Sequence, residues 1–169
     1  MYKKSNHSKV SEVMQKVVHT IHPNQTIFDA SVLMAYEHIG SLPVVKDDET
    51  LVGILTDRDI VTRCTAIGKD PRRTKIYECM SSNPIRTVPS VTTFDAIMLM
   101  SEYGVRRLPI VENDKLVGIV SMSDVAKFAK PPTERCIMDG TYEACDFVKL
   151  AKELEKTSHC EHSCNYCDI

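Results

Sequence analysis

A long internal repeat is the feature that most restricts how this chain can fold. The sequence LPVV at 42–45, followed by LVGILTDRD at 51–59, returns as LPIV at 108–111 followed by LVGIVSMSD at 116–124. Leu108 lies 66 positions after Leu42, and Thr92 lies 66 positions after Thr26. The second LVGI segment is one position closer, because the loop before it is one residue shorter, as hairpin loops tolerate. The chain therefore contains two copies of one whole folding unit.

Length and composition narrow the class of protein. A chain of 169 residues can form one domain or two small domains that share a core, burying roughly 70% of its unfolded surface. The net charge of −2 with mixed signs gives no reason to expect a nucleic acid or membrane partner. No apolar run approaches the ~20 residues that span a bilayer, and the polar start lacks a signal core. We therefore expect a cytoplasmic protein, and its seven cysteines do not indicate a disulfide framework.

Each repeat is predicted to run strand, helix, strand, strand, helix. Thr26-x-x-Asp29 has helix-capping spacing, and the apolar runs 42–45 and 51–55 should pair as a hairpin. A final helix should begin at Thr56 or Asp57 and end at Gly68. The predicted boundaries are 8–68 for the first unit, 69–75 for a basic linker, 76–130 for the second unit and 131–169 for a C-terminal region.

These duplicated motifs resemble the tandem CBS domain pair, the module named after cystathionine β-synthase, over about residues 8–130. The resemblance implies an α+β fold in which two β-α-β-β-α units pack about a pseudo-twofold axis. Members of this family bind AMP, ADP or ATP in clefts between the units, and sometimes S-adenosylmethionine or a dinucleotide. Two such modules often form a disc-shaped dimer, so the resemblance also implies a homodimer.

The residues themselves suggest what each cleft does. Thr56 and Asp59 stand where a glycine-containing strand turns into a helix, and Ser121 and Asp124 repeat them. Such a junction offers N–H groups to an anion, while a carboxylate can accept both hydroxyls of a ribose. Helix capping has the same spacing and is an alternative role, and the two roles are compatible. The resemblance adds nucleotide-binding positions around these junctions: His19, Ile39, Gly40, Ile54, Arg58, Ile85, Val105, Ile119 and Ser123.

The two clefts differ in charge. Arg58 of the first repeat corresponds to Ser123 of the second, whereas Gly40-Ser41 corresponds to Arg106-Arg107. An arginine fork suits phosphate, and the implied pseudo-twofold would bring Arg106 or Arg107 toward a ligand held by the first unit. A solvated turn is the alternative role of this arginine pair. We predict one tighter and one weaker nucleotide site.

The C-terminal region lies outside the resemblance. Residues 139–156 have the apolar spacing of a helix, and three thiols with two imidazoles then fall within residues 159–167. Three alternatives stay open: a tetrahedral zinc site, an iron–sulfur cluster and a metal-free terminus. The candidate ligands are Cys160, His162, Cys164 and Cys167, with His159, Cys136 and Cys145 as substitutes.

Two functions of different classes follow. The first is a regulatory module that senses AMP, ADP or ATP and acts on a protein partner in trans. The second is a metal- or redox-responsive protein whose C-terminal region is the sensor and whose repeats serve as a dimerisation platform. The sequence has no glycine-rich phosphate loop, no catalytic Ser/His/Asp or Cys/His arrangement that the resemblance supports, and no carboxylate pair in a catalytic setting, so we do not expect an enzyme.

Overall fold

The computed structural model describes residues 8–128 and has the α+β architecture predicted. Short 3-10 turns lie at Thr65–Ile67 and Ile76–Glu78. Within the described range, no helix has the length and hydropathy needed to cross a bilayer. The remaining elements, in chain order, are α1 (Val10–Val13), α2 (Ile27–Glu37), β1 (Ser41–Val45), β2 (Leu51–Thr56), α3 (Asp57–Arg63), β3 (Ser81–Ser82), α4 (Thr93–Glu102), β4 (Arg107–Glu112), β5 (Lys115–Ser121) and α5 (Met122–Phe128).

The strands form two small sheets. In the first, β2 pairs antiparallel with both β1 and β3, and in the second β4 pairs with β5. The leading strand predicted for each repeat is reduced to a single parallel bridge, Ile21 with Val44 and Thr87 with Ile110. Both predicted hairpins are thus confirmed, each with one residue of the leading segment at its edge.

Two compact units cut across the sequence repeats. The helical unit comprises residues 8–14, 90–107 and 120–128, and in it α5 packs against α1 and α4. The hairpin unit comprises residues 15–89 and 108–119. Its apolar core is closed to solvent around the β1–β2 hairpin and is formed by Ile21, Ile27, Ala30, Met34, Leu42, Val44, Leu55, Cys64, Ile76 and Cys79.

The leading segment of each repeat lies against the other repeat. In the helical unit the Thr93 N–H donates to the Ser8 carbonyl over 2.9 Å, and in the hairpin unit the Ile27 N–H donates to the Thr74 carbonyl over 3.0 Å. These two bonds are equivalent, because the repeat offset carries Ser8 to Thr74 and Ile27 to Thr93. Two β-bridges in the hairpin unit are equivalent in the same way: Gln15 pairs with Ile119, and Ile54 pairs with Ser81.

The tips of the two hairpins bind each other reciprocally. The Leu51 N–H donates to the Asp114 carbonyl, and the Leu116 N–H donates to the Glu49 carbonyl, each over 3.1 Å. Leu51 and Leu116 occupy the same position in the two repeats, as do Glu49 and Asp114. Equivalent residues thus exchange equivalent bonds, as a local twofold relation requires.

The end of α3 differs from the prediction. The helix stops at Arg63, and a 3-10 turn continues the chain to Gly68, whose φ of 72° lies in the left-handed region that glycine adopts readily. Cys64, at the end of α3, and Cys79 are both buried, which the position of Cys64 in an apolar helix and of Cys79 beside Met80 predicts. The Cys79 thiol donates to the Arg63 carbonyl over 3.4 Å, so it joins the end of α3 to the segment that precedes β3.

Burial of the Cys79 thiol should make stability depend on pH. Burial raises the pKa of Cys79, and the nearby Cys64 adds to the rise. A raised folded-state pKa stabilises the protein below the pKa of the unfolded thiol, about 8.5, and this contribution is lost as the pH rises through the folded-state value. The free energy of unfolding in urea, measured with a reductant, should therefore decline above that pH. The free energy of unfolding of Cys79→Ala should decline less steeply with pH. Identical slopes for the two proteins would contradict a raised pKa at Cys79.

Candidate functional site

The same side-chain cap precedes four helices. Thr26 binds Asp29, Thr56 binds Asp59, Thr92 binds Asp95 and Ser121 binds Asp124. At α3 the Asp59 Oδ2 accepts from the Thr56 N–H over 2.9 Å and from its hydroxyl over 2.7 Å. At α5 the corresponding Ser121 distances are 3.0 and 2.6 Å. Capping, one of the two roles considered for these residues, is thus confirmed.

Burial divides the four caps into two classes. Asp29 and Asp95 are exposed, whereas Asp59 and Asp124 are only 9% and 7% exposed. Hydrogen bonds from Thr26 lower the pKa of the exposed Asp29, so a cap of this kind does not need a sheltered carboxylate. Buried carboxylates are costly unless they are paired. Capping alone therefore does not explain why Asp59 and Asp124 are buried. Each of these two residues follows an LVGI strand.

One oxygen of Asp59 is engaged by the cap and the other faces a different group. Oδ2 takes both Thr56 donors, and Oδ1 lies 3.4 Å from the Arg63 Nη1. A hydroxyl has one proton, and that of Thr56 is donated to Asp59. In this arrangement Thr56 anchors the carboxylate, which leaves Oδ1 as the oxygen with capacity for ligand hydroxyls.

The second junction contains one more hydroxyl. The Ser121 hydroxyl donates to Asp124 Oδ2 and lies 2.8 Å from the Ser123 hydroxyl. Because Ser121 has only one proton to give, Ser123 is the donor in the contact between the two serines. Ser123 is thereby held beside the cap.

The residue before each hairpin reaches the start of the following helix. The Asp57 N–H donates to the Gly40 carbonyl over 3.1 Å, and the Met122 N–H donates to the Arg106 carbonyl over 3.0 Å. A Cβ on Gly40 would lie 2.9 Å from Asp57 Oδ2, so a larger residue here would displace the Asp57 carboxylate. The first junction thus carries a carboxylate where the second carries Met122, and glycine where the second carries arginine.

The other predicted site residues are divided between the two compact units. Ile39 and Val105 are held alike, each donating to the carbonyl of a methionine five residues earlier. His19 is exposed, with Nε2 3.4 Å from Glu37. Arg58, Arg106 and Arg107 are exposed. The hairpin unit contains His19, Ile39, Gly40, Ile54, Thr56, Arg58, Asp59, Ile85 and Ile119, and the helical unit contains Val105, Arg106, Arg107, Ser121, Ser123 and Asp124.

Three side chains close to these residues were not predicted from the sequence. Glu37 lies beside His19, Asp57 beside Gly40 and Arg63 beside Asp59. Of these three contacts, only the one between Asp59 and Arg63 could have been predicted from the sequence, because the two residues have the i, i+4 spacing of a helical ion pair.

The predicted metal ligands Cys160, His162, Cys164 and Cys167 lie outside the described residues. Across residues 8–128, no group of three or more histidine, cysteine, aspartate or glutamate side chains is arranged to hold a metal ion.

The sequence repeats coincide with a known domain family. The CBS domain model matches residues 10–65 and again residues 76–130. The chain therefore belongs to the CBS domain family, as a tandem pair. It is 44% identical over 119 residues to the CBS domain-containing protein YhcV of Bacillus subtilis, an alignment that covers 70% of this chain and 84% of YhcV.

Solved structures of CBS proteins resemble the fold over most of their length. Hypoxic Response Protein I, solved with two coordinated zinc ions, aligns with a TM-score of 0.67 and 32% identity over 71% of this chain and 98% of that one. CBSX2 in complex with AMP aligns with a TM-score of 0.65 and 27% identity, over 72% of this chain and 95% of CBSX2. The CBS domain pair of MJ0100 was solved in complex with 5'-methylthioadenosine and S-adenosyl-L-methionine. It aligns with a TM-score of 0.64 and 28% identity, over 72% of this chain and 95% of that one.

Proposed function

We propose that this chain is a regulatory module that binds an adenine nucleotide (AMP, ADP or ATP) and acts on a protein partner in trans. One observation carries the proposal. Of the four helix caps with the same spacing, the two that follow an LVGI strand shelter their carboxylates, and the other two expose them. Binding of AMP by CBSX2 supports adenylate as the ligand class.

The chemistry of Asp59 suits a ribose. Its Oδ2 is fixed by two donors from Thr56, so the carboxylate is oriented before a ligand arrives. A carboxylate oxygen only accepts hydrogen bonds, and the vicinal hydroxyls of a ribose supply two donors. Asp124 is fixed in the same way by Ser121. We assign Asp59 and Asp124 to ribose hydroxyls in two separate clefts.

Phosphate recognition is assigned to the residues that differ between the repeats. Arg58, Arg106 and Arg107 are exposed cations beside the two junctions, and arginine offers paired donors to phosphate oxygens. The first junction also carries the Asp57 carboxylate, which repels phosphate, whereas Met122 at the second does not. This inequality supports two clefts of different affinity.

Self-association of the chain is part of the proposal. Val32 and Tyr36 lie one helical turn apart on α2 and are 52% and 80% exposed, and Val61 on α3 is 57% exposed. Helices α2 and α3 pack against each other within the hairpin unit. Exposed apolar side chains on adjacent helices are typical of a protein contact surface, and we propose a second copy of this chain as the partner.

A thermal-shift panel tests the ligand class. We expect AMP, ADP or ATP at a hundredfold excess over Kd to stabilise the protein by about 2.7 kcal/mol, with GMP and CMP giving smaller shifts. The stabilisation should be the same with and without a chelator. Equal shifts with all nucleotides would contradict adenylate recognition. Stabilisation that is lost when the chelator is added would favour the metal-responsive alternative.

A further inference from the structure

Arg63 stands at the last turn of α3 with its guanidinium held in place. Its Nη1 donates to the Cys79 carbonyl and to the Ser81 hydroxyl, each over 3.1 Å. Both acceptors belong to the segment that leads into β3, which pairs with β2. A long side chain that is 48% exposed would ordinarily sample many rotamers. These two bonds instead fix the guanidinium relative to the sheet.

The fixed cation faces the oxygen of Asp59 that the cap leaves available. Nη1 lies 3.4 Å from Oδ1, while Oδ2 is bound by Thr56. The guanidinium therefore attracts Oδ1 without a short hydrogen bond, and the lone pairs of Oδ1 stay open to ligand hydroxyls. Two ends of the carboxylate are thus restrained, one by the cap and one by charge.

We propose that Arg63 is a positioning residue that orients Asp59 for ribose binding in the first cleft. The proposal rests on the proposed function, because it needs Asp59 to contact ribose. The repeat offset places Phe128 at the position equivalent to Arg63. The second repeat thus carries a different type of residue at this position.

The test uses the full chain with Asp124→Ala, so that binding reports the first cleft. In that parent, Arg63→Gln retains an N–H donor for the Cys79 carbonyl and removes the charge, while Arg63→Lys retains the charge. We expect Arg63→Gln to raise the Kd for AMP about fivefold, the size expected for a half-exposed ion pair. Arg63→Lys should restore binding to within about twofold of the parent, because the charge is what orients Oδ1. Calorimetry gives each Kd, and thermal unfolding without ligand checks the fold.

Adenosine separates a ribose effect from a phosphate effect. If Arg63 acts through Asp59, Arg63→Gln should weaken adenosine and AMP by the same factor. A loss seen with AMP alone would overturn the proposal, because Arg63 would then contact phosphate. An unchanged Kd, or Arg63→Lys as weak as Arg63→Gln, would also overturn it.

A milder variant serves if Arg63→Gln unfolds. Ser81→Ala removes one anchor of the guanidinium and keeps its charge, and we expect it to raise the Kd about twofold for both probes. An unchanged Kd would again overturn the proposal. A different result identifies failure of the proposed function: if the Asp124→Ala parent and the unaltered protein both fail to bind AMP, the nucleotide clefts are wrong and the role of Arg63 falls with them.

Discussion

Replacing both Asp59 and Asp124 with alanine is expected to abolish AMP binding. Each carboxylate would lose its bonds to ribose hydroxyls, and a hydrogen bond to a charged group contributes roughly 1.5–3 kcal/mol. Each single replacement should therefore weaken its own cleft about tenfold or more. Isothermal titration of the two single variants and the double variant measures this directly and counts the sites.

The exposed caps supply a matched control. Asp29 binds Thr26 through the same pair of donors, over 2.9 and 2.7 Å, as Asp59 binds Thr56. Asp29→Ala should therefore cost a similar cap contribution, about 1 kcal/mol, and leave AMP affinity unchanged. If the double variant of Asp59 and Asp124 is folded and still binds AMP within about threefold, the shelter of these carboxylates has no part in ligand binding.

Gly53→Ala is expected to destabilise the hairpin unit by about 2 kcal/mol. A Cβ at this position would lie 2.5 Å from the Met80 Sδ and 3.1 Å from the Ser81 carbonyl oxygen. The sulfur can move, but the carbonyl belongs to the segment paired with β2, where Gly53 faces Ser82 and Ile54 faces Ser81. Chemical denaturation measures the loss.

A double-mutant cycle identifies the cause of that loss. Met80 packs against the apolar core, so Met80→Ala alone should cost about 2 kcal/mol. In the double variant the new methyl group occupies space that Met80 vacates, and the combined loss should fall short of the sum by about 1 kcal/mol or more. Simple additivity, or a Gly53→Ala variant more stable than the parent, would show that the close approach is not the reason for glycine.

Local patterns predicted the parts of the fold that depend on neighbouring residues. The Thr26 and Thr56 caps, the hairpins and the burial of Cys64 follow from spacing and side-chain type, and the structure contains them. The sequence could not predict that each leading segment packs against the other repeat. The offset of 66 residues would be the same if Thr74 bound a residue of the second repeat instead of Ile27 in the first.

The candidate site shows the same limit. Thr-x-x-Asp spacing is identical at Asp29 and Asp59, so spacing could not predict that only the second of these two is sheltered. Burial depends on which strands lie nearby, and that is a tertiary property. The i, i+4 spacing allows a contact between Asp59 and Arg63, but the anchors of Arg63 lie 16 and 18 positions away.

The exchange of leading segments has a consequence for a chain that would contain only one repeat. The segment around Ser8 completes the second repeat, and the segment around Thr74 completes the first. A single repeat cut at residue 70 would lack its own covering segment, and it could recover one only by lending its segment to another copy and borrowing in return. We therefore expect a protein made of one such repeat to form a segment-swapped pair of identical chains. Because both repeats are parts of one chain, a substitution can stand in one repeat without its counterpart in the other, as Arg63 and Phe128 illustrate.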